Sequence, residues 1–172
     1  MRPIPGSEGA LRIQSPATVP HDRSRPDFAL RSRVFIMTFD TKIAIVVRED
    51  LATWQKLNVA AFLSGGLAGC YPEIVGERYS DASGGEYGSL VRQPIMIFVA
   101  TQQELARSLA RARERGITPS IYTVDLFKTY NDADNRAAVA GVATDSLDLA
   151  GLALHAERKL VDKVVKGLKL HP

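Results

Sequence analysis

The segment KIAIVVRE, residues 42–49, decides the fold class of this 172-residue chain. Its β-branched and apolar residues form a continuous run, which is typical of a strand buried on both faces. A helix-like segment follows at about residues 53–68. Strands of this kind belong to sheets that helices cover on both sides. The segment therefore predicts the first strand of an α/β domain.

Strand-like and helix-like segments alternate through the rest of the chain. Further strands are predicted at 94–100, 120–125, 148–154 and 168–170, and further helices at 101–116, 131–143 and 156–167. The helix at 101–116 has the clearest ends, because Thr101 and Glu104 form a capping box and Gly116 stands where a C-terminal glycine belongs. The alternation predicts a three-layer α/β/α-type domain with a small mixed, mainly parallel sheet.

The first predicted helix contains Ser-Gly-Gly at residues 64–66. A glycine in a helix interior costs about 1 kcal/mol relative to alanine, so the pair suggests that something approaches this helix closely. The glycines lie about two turns beyond Asn58, roughly 10 Å away, so close packing explains them better than contact with a ligand there. One apolar stripe of the helix is expected to face the core, formed by Leu57, Ala60, Ala61, Ser64 and Ala68.

The net charge of +3 and the pI of about 9.1 originate in the first 36 residues. That segment holds six arginines against three acidic residues, so the remainder of the chain is neutral. A neutral core argues against nucleic acid as a partner. The segment also holds five of the nine prolines and shows no apolar period, which predicts a disordered extension. Met37 is then the expected start of the protein, with a single α/β domain at 37–172.

The composition also restricts the compartment and the chemistry. No apolar run approaches the ~18 residues of a membrane span, so no membrane partner is expected. The single cysteine, Cys70, excludes an internal disulfide and suits the cytoplasm, where we expect the protein. The histidines share no metal-binding spacing, and neither a P-loop nor a Gly-x-Gly-x-x-Gly motif occurs. We therefore expect no metal and no cofactor.

Several motifs in a consistent order resemble known proteins. Four features are similar to the type II peptidyl-tRNA hydrolase fold. They are VVREDL, a helix containing VAA, a strand and capped helix ending in GITPS, and Asp125 at a strand end. A closer resemblance is to the bacterial family called domain of unknown function 2000. It is carried by LNVAAFLSGGLAG, the DASGG loop and VDKVVKGLKLHP. The likeness covers essentially all of residues 38–172, and it implies the α/β fold of those proteins.

The resemblance also implies that the hydrolase chemistry is missing. Type II hydrolases carry Gly-Lys-x-Ala-Ala-Gln-x-x-His at the start of the first helix, and its lysine is thought to act in ester cleavage. Here Asn58 stands at the lysine position, Phe62 at the glutamine and Gly65 at the histidine. Asn58 cannot carry a positive charge or transfer a proton near neutral pH. Lys56 lies two residues earlier, about 200° around the helix, so it is expected to point elsewhere unless the helix start is irregular.

The candidate site lies beyond the carboxyl ends of the strands, where open α/β sheets bind ligands. Asp125 and Thr129 match the hydrolase's strand-end aspartate and following threonine, and Asp125 is expected to face Asn58 and bind a donor group of the ligand. Asp50 ends the first strand at the same edge, and Asn131 begins the next helix. The candidate residues are Asp50, Lys56, Asn58, Asp125, Thr129 and Asn131. Trp54 and Tyr130 could stack on a ring, although packing is the commoner role of such residues.

The long segment at 71–93 is a second candidate, because loops of this length often cover binding sites. Asp81, Ser83 and Gly84 lie near its centre, where backbone amides could hold an anion. A plain surface turn that pairs short strands is the equal alternative.

Two functions remain open from the sequence. The first is a binding or regulatory module that recognises a small polar ligand or a protein partner, and a homodimer is also open. The alternative is a hydrolase-like enzyme acting on an ester or amide, with Asp125 and a positioned water as the catalytic pair and Asn58 as an oxyanion donor.

Overall fold

The computed structural model describes residues 39–172. The predicted extension at residues 1–36 lies outside the described residues. The strands are β1 (Thr41–Arg48), β2 (Tyr79–Ser80), β3 (Glu86–Tyr87), β4 (Ile95–Ala100), β5 (Ser120–Thr123), β6 (Leu149–Glu157) and β7 (Lys169–Leu170). The helices are α1 (Thr53–Cys70), α2 (Gln102–Glu114), α3 (Asp132–Ala140) and α4 (Arg158–Val164). Short 3₁₀ turns occupy Pro72–Ile74, Val124–Lys128 and Thr144–Ser146.

The main sheet has the strand order β5-β6-β1-β4-β7 and is mixed, as predicted. Its mainly parallel character was predicted wrongly, because only β1 and β4 are parallel and the other three neighbouring pairs are antiparallel. The chain reverses between β5 and β6, where α3 packs on the turn Val124–Lys128 instead of crossing the sheet. β6 then lies between β5 and β1, which separates strands that run in the same direction.

Two apolar cores lie on the two faces of this sheet, which gives the three layers. Along β1, Ile43, Ile45 and Val47 pack on the side of α1, while Ala44 and Val46 pack on the side of α2 and α4. All five side chains are buried. The prediction of a first strand buried on both faces is therefore confirmed.

Helix α1 packs on the sheet through Val59, Leu63 and Leu67, which recur at the four-residue spacing of one helix face. The predicted core stripe was wrong, since Leu57 is 67% exposed. The two faces differ because Leu57 and Val59 are two residues apart, about 200° around the helix.

The close approach between α1 and the sheet requires a glycine on the strand rather than on the helix. A Cβ atom at Gly151 of β6 would lie 2.5 Å from Val59 Cγ1 and 2.9 Å from the Val46 carbonyl oxygen. On α1, a Cβ at Gly65 would meet nothing within 4 Å, and one at Gly66 would meet only Ser120 Oγ at 4.0 Å. Packing among residues 39–172 therefore does not explain the helix glycines, contrary to the expectation from the sequence.

Helix α2 has the ends that the sequence predicts. The Thr101 side chain accepts a hydrogen bond from the Glu104 amide, and the Glu104 carboxylate accepts one from the Thr101 amide. Gly116 follows the helix with φ +68°. None of the helices within residues 39–172 has the length and apolar character needed to span a membrane.

Candidate functional site

A cavity of about 430 Å³ lies between α1, the end of β5, the turn Val124–Lys128 and the start of α3. Its aromatic wall is formed by Trp54, Phe62, Tyr122, Phe127 and Tyr130, and its polar groups come from Asn58, Thr129, Asn131, Asp132 and Asn135. A larger cavity of about 570 Å³ lies between α2 and α3, with mostly aliphatic walls and Arg113 as its charged group. The smaller cavity is the better candidate, because ligand sites combine apolar walls with a few convergent polar groups.

Four rings of the wall contact each other in sequence. Trp54 and Phe127 pack edge to face with centroids 5.7 Å apart, and Phe127 lies 5.1 Å from Tyr122. Tyr122 in turn packs edge to face on Phe62 at 5.8 Å. Such arrangements suit the quadrupoles of the rings. Each of these four rings therefore packs on at least one other ring of the wall.

Asn58 is held by the phenol of this cluster. The Tyr122 hydroxyl donates to Asn58 Oδ1 at 3.1 Å, and burial raises the pKa of Tyr122, which keeps the hydroxyl protonated. The carbonyl end of the Asn58 amide is therefore fixed toward Tyr122. Its Nδ2 group, with two N–H donors, is left to bond other partners.

The opposite rim of the cavity is organised by its own hydrogen bonds. Asn131 caps α3, with Oδ1 accepting from the Asp134 amide at 2.9 Å and Nδ2 donating to Asp134 Oδ2 at 2.7 Å. The Thr129 hydroxyl contacts the Leu126 carbonyl at 2.9 Å and also bonds the Asn135 side chain. These bonds hold both side chains in place, and the Asn131 amide is committed to the cap.

The predicted site residues divide into two groups. Asn58, Thr129 and Asn131 line the cavity together. Asp125 does not line it, because β5 ends at Thr123 and the 3₁₀ turn that follows leaves Asp125 exposed.

Two other predicted residues also lie outside the cavity lining. Asp50 pairs with Arg48 Nε at 2.7 Å, and the same guanidinium binds Asp148 on the neighbouring strand end. Lys56 lies on α1 but does not line the cavity. The structure therefore does not assemble Asp50, Lys56, Asn58 and Asp125 into one cleft, and roles for Asp50, Lys56 and Asp125 in binding stay predictions.

The loop at 71–93 contains a small hairpin of β2 and β3. Asp81 Oδ1 accepts from the amides of Ser83 and Gly85 at 2.8 and 2.9 Å, and Oδ2 accepts from the Tyr87 hydroxyl at 2.6 Å. These bonds lower the pKa of Asp81, and the bond to Asp81 raises that of Tyr87. Gly84 supplies the positive φ of the turn, +83°. The carboxylate thus occupies amides that an anion would need, and ligand binding by Asp81, Ser83 and Gly84 stays a prediction.

Several wall residues escaped the reasoning from sequence. Phe62, Tyr122, Phe127 and Asn135 were not singled out as site residues. The spacing of Asn58 and Phe62 gave a usable signal, since residues four apart share a helix face. Residues 39–172 contain no cluster of three or more histidine, cysteine, aspartate or glutamate side chains arranged to hold a metal ion.

The fold and the cavity define a three-layer α/β protein with an aromatic pocket bordered by amides. The chain belongs to the family described as protein of unknown function (DUF2000), whose sequence model matches residues 41–172. This confirms the resemblance to that family, whereas the likeness to type II peptidyl-tRNA hydrolase stays a prediction.

A solved structure also resembles the chain. It is that of a protein of unknown function, Atu0240 from Agrobacterium tumefaciens strain C58, with 46% sequence identity and a TM-score of 0.77. The match covers 78% of this chain and all of the other. No curated protein matches the chain.

Proposed function

We propose that the chain is a binding module that holds a small, uncharged, planar ligand in the cavity beside α1. The observation that carries this proposal is Asn58, whose amide is oriented by Tyr122 at the centre of an aromatic wall. A cavity of about 430 Å³ falls in the ~300–1,000 Å³ range of small-molecule sites.

The aromatic wall favours a ligand with a flat apolar face. Trp54, Phe62 and Tyr130 are 62%, 57% and 97% exposed, so their rings have surface left for a ligand to cover. An aromatic pair contributes about 0.5–1.5 kcal/mol beyond the area that it buries. A heteroaromatic ring gains most from such surroundings.

The Asn58 amide favours a ligand with a hydrogen-bond acceptor at its edge. Its Nδ2 donors match a carbonyl oxygen or a ring nitrogen. One such bond contributes about 0.5–1.5 kcal/mol, which is a factor of roughly 2 to 13 in affinity. Ring and acceptor together describe an aromatic amide or a nucleobase-like compound.

The charges around the cavity disfavour an anion. Among the lining residues of the described chain, Asp132 is the only one with a charged side chain, and it pairs with Arg136 one turn along α3. No lysine or arginine lines the cavity in that part of the chain. A phosphate or carboxylate would therefore lose water without gaining a cationic partner.

The hydrolase alternative has less support. Asp125 is exposed outside the cavity lining, and a general base must reach its substrate directly or through one water. We accordingly expect no useful cleavage of peptidyl-tRNA. Turnover of peptidyl-tRNA or an aryl ester that disappears in Asp125→Ala would replace the binding proposal with the hydrolase.

Trp54 gives a direct test, because it is the single tryptophan of the chain and lies in the wall. Nicotinamide, uracil and adenine are titrated while its fluorescence is followed. At least one should bind with a Kd below about 1 mM, equal to roughly −4 kcal/mol.

Two controls make the test specific. Asn58→Ala should weaken binding about fivefold, whereas Gln103→Ala on the exposed side of α2 should not change it. Nicotinate should bind at least tenfold more weakly than nicotinamide. Failure of all three probes at 10 mM, or equal binding of nicotinate, contradicts the proposal.

A further inference from the structure

Helix α1 has an apolar surface on the side opposite the sheet. This outer face consists of Trp54, Leu57, Asn58, Ala61, Phe62, Gly65 and Gly69, and Asn58 is its one polar side chain. Lys56 is the single charged residue among the 18 of the helix, and it does not belong to the outer face. Surface helices of monomeric proteins normally turn charged residues to solvent, and a helix that is apolar all round is normally covered.

The size of the exposed patch points to a protein partner. Trp54, Leu57 and Phe62 are 62%, 67% and 57% exposed, and Tyr130, which lines the same cavity as Trp54 and Phe62, is 97% exposed. Given ~150–250 Å² for a large side chain, Trp54, Leu57 and Phe62 expose roughly 400 Å² on the outer face, and Tyr130 beside it adds roughly 200 Å². Together these areas reach the upper end of patches on monomers and approach the ~800 Å² per partner of a stable interface.

The glycines of α1 are unexplained by contacts within the described chain. A Cβ at Gly65 or at Gly69 would meet no atom within 4 Å. Glycine weakens a helix interior, yet it permits another backbone to come close. The outer face thus carries a shallow depression in its C-terminal half.

The large and small residues of the outer face are separated along the helix. Trp54 and Leu57 lie in the N-terminal half, Ala61 and Phe62 lie at the middle, and Gly65 and Gly69 lie in the C-terminal half. Two antiparallel copies of such a helix would place Trp54 and Leu57 of each opposite Gly65 and Gly69 of the other. The face is therefore complementary to itself, and without charges it meets no electrostatic repulsion.

We propose that the outer face of α1 is the interface of a homodimer. Two copies pack α1 against α1 about a two-fold axis that passes near Ala61, as in the isologous interfaces of most homodimers. The proposal does not rest on the ligand, but Trp54 and Phe62 belong both to the cavity wall and to the outer face, so the dimer and the ligand compete for these two rings.

Sedimentation equilibrium of the full chain between about 1 and 100 µM tests the dimer. We expect a species of twice the 18.8 kDa chain mass within this range. Ala61→Glu places two carboxylates against each other at the axis and should weaken the dimer at least tenfold. Ala110→Glu, at an exposed alanine of α2, is the matched control and should leave the dimer unchanged.

Cross-linking tests the antiparallel arrangement. Cys70 is exposed on the same helix, so Cys70→Ser serves as the background. Ala61→Cys should form a disulfide between copies under oxidised glutathione, since Cα atoms within about 7 Å can be bridged. Leu57→Cys should not, because each residue 57 then faces the partner's C-terminal half.

Three outcomes overturn the proposal. They are a monomer at 100 µM, a dimer that Ala61→Glu and Ala110→Glu affect equally, and a disulfide at residue 57 but not at residue 61. Circular dichroism of each variant separates loss of the dimer from loss of the fold. The masses are measured without any ligand, and the nicotinamide titration is repeated on Ala61→Glu, so that either proposal can fail without the other.

Discussion

Gly151→Ala is the sharpest perturbation of the contact that seats α1 on the sheet. Gly151 lies in β6 opposite Val47 of β1 and Tyr122 of β5. The added Cβ would lie 2.5 Å from Val59 Cγ1, 2.9 Å from the Val46 carbonyl oxygen and 3.3 Å from Leu63 Cδ1. Contacts below 3.0 Å require that neighbouring atoms move, and one of these neighbours is backbone in the middle of the sheet.

The expected cost is that of an overpacked core, about 1–3 kcal/mol. The Val46 carbonyl cannot rotate away as a side chain can, so we expect the upper half of that range. At roughly 2–4 °C per kcal/mol, the melting temperature should fall by about 4–12 °C. Because Asn58 adjoins Val59 on α1, displacement of the helix should also weaken binding in the cavity.

Thermal and urea unfolding, followed by circular dichroism, measure the effect. Gly66→Ala is the matched control, since its Cβ meets only Ser120 Oγ at 4.0 Å. It should be neutral or stabilise the helix by up to ~1 kcal/mol.

A double mutant isolates the contact itself. Val59→Ala removes the methyl group nearest the new Cβ, so Gly151→Ala combined with Val59→Ala should be less destabilised than the sum of the two single changes, by about 1 kcal/mol. Additive effects, or equal stability of Gly151→Ala and Gly66→Ala, would refute the reasoning.

Three further changes test separate parts of the chain. Thr101→Ala should cost about 1 kcal/mol in urea unfolding, because it removes the hydroxyl that accepts from the Glu104 amide. The pKa of Asp81 is lowered, first by the Tyr87 hydroxyl, so its stabilisation of the hairpin is fully present above the usual value of 3.8 and is lost as pH falls through the lowered value. Amide exchange in the hairpin, corrected for intrinsic rates, should therefore accelerate below about pH 4 in the wild type, whereas Asp81→Asn should show no such pH step. Asp125→Asn should change nicotinamide affinity less than twofold, because Asp125 lies outside the cavity lining; a tenfold loss in the Trp54 titration would restore its expected role in recognition.

Local signals explain which elements were predictable from the sequence. The ends of α2 depend on Thr101, Glu104 and Gly116, which act within one turn of the positions that they fix. The double burial of β1 follows from its continuous apolar run. In both cases the evidence lies inside the element, so the structure reproduces the prediction.

The missed features depend on contacts between elements. Helix α1 is apolar on both faces, so its periodicity does not identify the side that packs on the sheet, and Leu57 was assigned to the core although the buried residue is Val59. The antiparallel placement of β6 depends on how α3 packs after β5. Only some of the site residues were predicted correctly, for a similar reason. Asn58 lies on α1 and Asn131 caps α3, two helices whose positions were predicted, while Asp125 and Thr129 lie in and directly after a 3₁₀ turn that the sequence does not announce.

The environment of Asn58 bears on which side chains position 58 can hold. The likeness to type II hydrolases, which stays a prediction, would place lysine, glutamine and histidine at positions 58, 62 and 65. A lysine at position 58 would lie beside the Tyr122 hydroxyl and the surrounding rings, where burial disfavours a positive charge. The one acidic side chain of the described cavity lining, Asp132, already pairs with Arg136. Asparagine instead accepts from Tyr122 and keeps its donors without carrying a charge. An aromatic wall that suits a planar neutral ligand is therefore the same wall that makes an ammonium group at position 58 costly.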